Sequence, residues 1–141
     1  LLGGLCVLDP KGGTEYVLSV LNDPNHDFGY RYSALRAIRV LVSEIKEVDH
    51  DMVWKAMAPT IQIRDMSDLI IDEYRKNKVW DYTPQILALF DDKKFDVQVI
   101  KRAVVRYALR CPDQAATAFV KDVEEILRFE EARQVQPKPT G

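Results

Sequence analysis

The chain has 141 residues, 47% of them apolar and 30% charged, with a formal net charge of −2. That length suffices for one domain with a sizeable core, and the near-balanced charge excludes a global field that would gather nucleic acid or anionic membrane. No apolar run approaches the roughly 18 residues of a membrane-crossing helix.

LLGGLCVL, residues 1–8, has no basic segment before it and no initiator Met. It reads as a helix at the cut end of a longer chain, not as a signal peptide. DPKGG separates it from a helix predicted over 14–22. Within that separator KGG, Lys11 to Gly13, is too short for a phosphate-binding loop and follows no strand, so a turn is the simple account. Further helices are predicted over 29–46, 50–58, 63–77, 83–91, 97–111 and 113–132. The separators include NDPNHD, Pro59-Thr60, WDYTP, DDKKFD and CPD. Thr83 reads as an N-cap with Pro84 at the first helical position. No segment alternates with period two, so strands are not needed. The domain is expected to span 1–133. The tail QVQPKPTG, 134–141, is Pro-rich and polar, the composition of a disordered end or linker.

The predicted helices alternate between two kinds. The shorter kind carries an apolar triplet at i, i+1, i+4: Val17/Leu18/Leu21, Val53/Trp54/Met57, Ile86/Leu87/Phe90 and Phe119/Val120/Val123, recurring after 36, 33 and 33 residues. The longer kind carries apolar or small residues at i, i+3, i+4, i+7, i+8 and i+11. Its columns begin at Tyr30, Ile63 and Ile100, spaced by 33 and 37 residues, and end at Leu41, Tyr74 and Cys111. Leu1, Leu2, Leu5 and Cys6 fit the middle of a further copy. Each helix hides one stripe, and a single pair cannot cover both of its apolar faces, so neighbouring pairs stack on a shared core. The expected fold is therefore all-α, a right-handed α-α superhelix: a solenoid of about three and a half helix pairs. Ser33, Ala34, Ala37, Ala103 and Ala108 are small enough to let the longer helices approach closely. Asp122 to Glu131, with Ile126, Leu127 and Phe129 among many acids, reads as a terminal cap, polar outside and apolar inside.

These residues resemble HEAT-like repeats, the armadillo-type superhelices of antiparallel helix pairs, from residue 1 to about 130. The tetratricopeptide and ankyrin signatures, W-x2-L-G-x2-Y and T-P-L-H, are absent. LDPKGGTEYVLSVLNDPNHDF and RYALRCPD are similar to HEAT-type repeat proteins of bacteria with no assigned activity, which implies no catalytic residues. The resemblance also implies a ladder of turn aspartates and second-helix cations. Asp27 with Arg31 and Asp96 with Lys101 occupy its places, and Arg64 continues the basic column without an Asp.

Against that background the reactive residues are few. His26 beside Asp27 suggests a general base with its orienting carboxylate, but no Ser or Cys motif stands ready to pair with it. A turn and helix cap is the stronger reading. His50, between Asp49 and Asp51, reads as a capping cluster, with a metal site as the remote option. Cys6 and Cys111 match no metal-ligand spacing and fall in core columns. Trp54 is expected in the core, and Trp80 over helix ends.

Arg31, Arg36, Arg39, Lys101, Arg102, Arg106 and Arg110 suggest a phosphate-binding face, and some HEAT-like proteins bind DNA on their inner surface. Yet Asp65, Asp68, Asp72 and Glu73 interrupt the track. In repeat register Asp72 lies beside Arg39 and Asp65 beside Arg102, which suits ion pairs. The expectation is a non-enzymatic module, without cofactor or metal, that presents a concave helical surface to a protein partner. Tyr32, Arg36, Arg39, Asp68, Asp72, Arg102, Arg106 and Arg110 are the candidate contacts. Nucleic-acid binding is the alternative, and self-association through the first helix a variant.

Overall fold

The computed structural model describes residues 2–135. Among them are eight α-helices, three short 3-10 turns and no strand. The helices are α1 (Leu2–Leu8), α2 (Pro10–Asn22), α3 (Phe28–Glu44), α4 (His50–Met57), α5 (Ser67–Lys76), α6 (Thr83–Ala88), α7 (Gln98–Arg110) and α8 (Gln114–Val135). The all-helical expectation therefore holds. No helix among the described residues is long and apolar enough to cross a membrane. α8 runs two residues into the stretch expected to be a tail, and 136–141 lie outside the described residues, as does Leu1.

The described chain divides after Ile70 into two compact units. In the first, aspartates start three helices. Asp9 accepts a hydrogen bond from Gly12 N, Asp27 from Tyr30 N and Asp49 from Met52 N, each satisfying an otherwise orphaned donor of the first turn. Asp9 and Pro10 start α2 four residues before the expected position, so Lys11 to Gly13 are helical rather than a turn. Gly13 has a packing role: a Cβ there would sit 2.7 Å from Cys6 Cα, so its absence lets α1 lie directly on α2. Val17, Leu18, Val20 and Leu21 of α2 face a core shared with Ala34, Leu35, Ala37, Ile38 and Leu41 of α3, and α4 adds Val53, Trp54 and Met57. Asn22 ties the end of α2 forward. Its Nδ2 donates to Ala56 O at 2.8 Å, and its Oδ1 accepts from the Thr60 hydroxyl.

Two expectations fail locally. Ser33 is exposed and bonds back to Gly29 O, so Leu35, not Ser33, joins the α3 core. The helix expected over 63–77 begins only at Ser67, because Pro59 leads a 3-10 turn over Ala58–Gln62. The buried Ser67 hydroxyl then donates to the carbonyls of Ile61 and Ile63.

In the second unit α5 ends on a left-handed residue, Lys78 (φ 56°). Val79 N bonds Tyr74 O and Lys78 N bonds Arg75 O, which makes the paired bonds of a Schellman motif. Tyr107 anchors the core. Its hydroxyl lies 3.1 Å from Val79 O and 2.9 Å from Thr83 Oγ1, and its ring meets Trp80 edge to face. Burial pushes the Tyr107 and Tyr74 phenols well above the usual range. Thr83 spends its hydroxyl on Trp80 O and Tyr107 rather than capping its helix, contrary to expectation. The helix expected over 83–91 stops at Ala88 and tightens into a 3-10 turn, Leu89–Asp91. Ile86 and Leu89 are buried there, whereas Leu87 and Phe90 are only partly covered.

Candidate functional site

Among the described residues, neither histidine meets a partner suited to nucleophilic catalysis. His26 Nε2 is 3.7 Å from Asp23 and its ring edges onto Tyr30, while Asp27 is occupied in capping α3. His50 edges onto Trp54. No group of three His, Cys, Asp or Glu side chains suited to a metal ion occurs among the described residues. Cys6 and Cys111 are free thiols buried in the core, and burial pushes the Cys6 thiol up.

The charged residues divide into those with structural partners and those facing solvent. Arg31 is buried on α3 and grips both oxygens of Asp65, at 2.7 and 2.5 Å, while donating to His26 O at 3.0 Å. That bidentate hydrogen bond, with the charge attraction behind it, raises the Arg31 pKa and holds the Asp65 carboxyl below the usual range. The residue holding Asp65 is thus Arg31, not the expected Arg102. Asp72 pairs with Arg106 at 3.3 Å and with Arg75 at 3.5 Å, and Asp96 with Lys101 at 3.1 Å, the last as expected.

Tyr32, Arg36 and Arg39 follow one another on α3. Tyr32 stacks on Phe28, Arg36 is exposed, and Arg39 is half-buried with an interaction of its own. Asp68 is half-buried and likewise engaged. Arg102, Arg106 and Arg110 form an exposed stripe on α7, four residues apart.

Two of these arginines border a concavity. α7 and α8 splay to leave an open groove of about 590 Å³. The α7 wall presents Gln98, Lys101, Arg102, Val105 and Arg106, and the α8 wall Val123, Ile126, Leu127 and Glu130; Phe90 and Asp91 complete the lining. Phe90 is held edge-on by Phe119, and the Lys101 ammonium stands over its ring, 5.1 Å from the centroid. The α8 wall departs from expectation. Ala116 is the buried residue of α8, whereas Ile126, Leu127 and Phe129 are more than half exposed, so this segment is not a cap with its apolar side inside. Phe119, Val120 and Val123 are half-covered, too. Their i, i+1, i+4 spacing already showed the stripe; what it did not show is that this unit leaves the stripe uncovered.

The groove thus sets apolar side chains of α8 opposite cations of α7. Set against known proteins, the chain matches no family model, no curated protein and no solved structure.

Proposed function

We propose that this chain is a non-catalytic, HEAT-like protein-binding module and that the α7–α8 groove is its docking surface. The groove carries the reading: an apolar floor more than half exposed on α8, beside a wall of cations on α7. Exposed apolar surface rimmed by charge is the ordinary signature of a protein interface. Support for the repeat comes from polar ties of one sequence length. Arg31–Asp65, Asp72–Arg106 and Asn22–Ala56 each join residues 34 apart, the separation expected when equivalent turns of successive helix pairs meet. In a HEAT-like solenoid the longer helices, α3, α5 and α7, would share one concave side.

Nucleic-acid binding is the weaker reading. Asp96 and Asp72 already neutralise Lys101 and Arg106, which leaves Arg102 and Arg110 as an interrupted track for phosphates.

A photoreactive residue at Leu127, in cells that make the protein, tests the proposal. Polypeptide adducts are expected at Leu127, identified by mass spectrometry and absent when the probe replaces Glu15. Binding of a duplex or single-stranded oligonucleotide that weakens steeply with salt, without polypeptide adducts, would favour the other reading.

A further inference from the structure

We infer that the groove between α7 and α8 receives α8 of a second copy of this chain, so that two copies dock reciprocally through that helix. The inference rests on reading the groove as a protein-docking surface, and it names the occupant.

The groove is shaped for a helix. From Gln98 to Arg106 the α7 wall runs i, i+3, i+4, i+7, i+8, and from Val123 to Glu130 the α8 wall runs i, i+3, i+4, i+7. Two such faces make a trough about two helical turns long, roughly 12 Å. An amphipathic helix fills such a trough with apolar residues three and four apart.

Charge selects the helix. The α7 wall holds Lys101, Arg102 and Arg106; Asp96 pairs with Lys101 and Asp72 with Arg106, and Asp91 and Glu130 also line the groove. Arg102 is exposed and has no ion pair among the described residues. A carboxylate beside the apolar stripe of an occupant would complement Arg102. α8 supplies both: between Asp122 and Glu131 it holds five acids against Arg128, around Ile126, Leu127 and Phe129. It is also longer than the helix it lines the groove with, spanning about 33 Å over 22 residues against about 20 Å over the 13 of α7. One helix thus lines its own groove and has the chemistry to enter another. Two-fold pairing makes each contact twice, with the apolar stripes meeting near the axis and a carboxylate reaching Arg102 at the rim.

Sedimentation equilibrium of the full chain tests this, at about 0.05 M and 0.5 M salt. A reversible dimer, weaker at high salt, is expected. Leu127→Glu should weaken it roughly tenfold or more. Arg102→Glu should weaken it less and flatten the salt dependence. With dissolved oxygen and a copper catalyst as oxidant, Ile126→Cys should form a disulfide-linked dimer while Glu15→Cys, exposed on α2, should not. Circular dichroism confirms that each variant is folded. A chain still monomeric at about 1 mM overturns the inference, as does a dimer that Leu127→Glu leaves intact. The broader docking reading is judged separately: Leu127 adducts to a different polypeptide sustain it when the chain is monomeric, and no adducts of either kind end both.

Discussion

α2 and α8 are both amphipathic, yet they place their apolar residues in opposite surroundings. α2 buries six of its thirteen residues, between α1, α3 and α4. α8 buries Ala116 alone among its twenty-two, packing on α6 and α7 and leaving Ile126, Leu127 and Phe129 to solvent. The periodicity of a helix tells which face it can offer. Whether that face is taken depends on how many neighbours the chain supplies. A helix whose stripe is covered adds to stability, and one whose stripe is open offers binding surface.

The sharpest test is one substitution in each helix. Leu21→Ala in α2 removes a fully buried side chain and should cost about 2–5 kcal/mol in urea or thermal unfolding. Leu127→Ala in α8, studied at concentrations low enough to keep the chain monomeric, should stay within about 0.5 kcal/mol of the parent. Equal losses would show that α8 contributes to the core as α2 does, and the contrast would collapse. The junction of α1 and α2 gives the next effect. Gly13→Ala drives a methyl into the Cys6 backbone and should cost about 1–3 kcal/mol; the same change at Gly4, where nothing stands within 4 Å, should not destabilise through a clash.

Much of the fold was legible because burial follows helical period. In the columns from Ile63 and Ile100, Met66, Ile70, Ile71 and Tyr74, and Val104 and Tyr107, are buried as the spacing predicts. Boundaries were less legible, because they turn on local hydrogen bonds that compete with the helix. Thr83 reads as a cap from its neighbour Pro84, yet its hydroxyl is drawn to Trp80 O and Tyr107, groups the sequence does not place beside it. The site was half legible. Arg102 and Arg106 stood out as cations, but the groove exists because α8 leaves its stripe uncovered, and no residue type encodes that. The ion pairs show the same limit: Asp65 belongs to Arg31, a choice made by packing in three dimensions.

That pair also separates structural cations from exposed ones. Arg31 is buried and Asp65 half exposed, so Asp65→Asn should cost about 1 kcal/mol at neutral pH, the net value of a charge-assisted hydrogen bond partly screened by water. Arg102→Gln, with no such partner, should leave stability unchanged. The folded-state pKa of Asp65 lies below its unfolded value. Its contribution is therefore complete above the unfolded carboxylate pKa, about 4, and is lost as pH falls through the folded value. The stability gap between parent and Asp65→Asn should thus be constant near neutrality and close in acid. A gap that widens on acidification would contradict the pairing.

The smallest effect concerns backbone conformation, where the two units again differ. Gly13 in the first unit is glycine because space demands it. Lys78 in the second occupies a position that favours glycine without having one. Its φ of 56° lies in the left-handed region, at the place after α5 where the Schellman bonds of Val79 N and Lys78 N close the helix. A Cβ disfavours that conformation, and glycine adopts it freely. Lys78 is exposed, so Lys78→Gly removes little packing. Glycine also raises the entropy of the unfolded chain, which offsets part of the relief. The net should be a stabilisation of about 0.5 kcal/mol, read as a small rise in the urea midpoint with an unchanged slope. Lys78→Val, β-branched at the same φ, should move the midpoint the other way, and the two together measure how firmly the end of α5 is held by its own turn rather than by the core around Tyr74 and Tyr107.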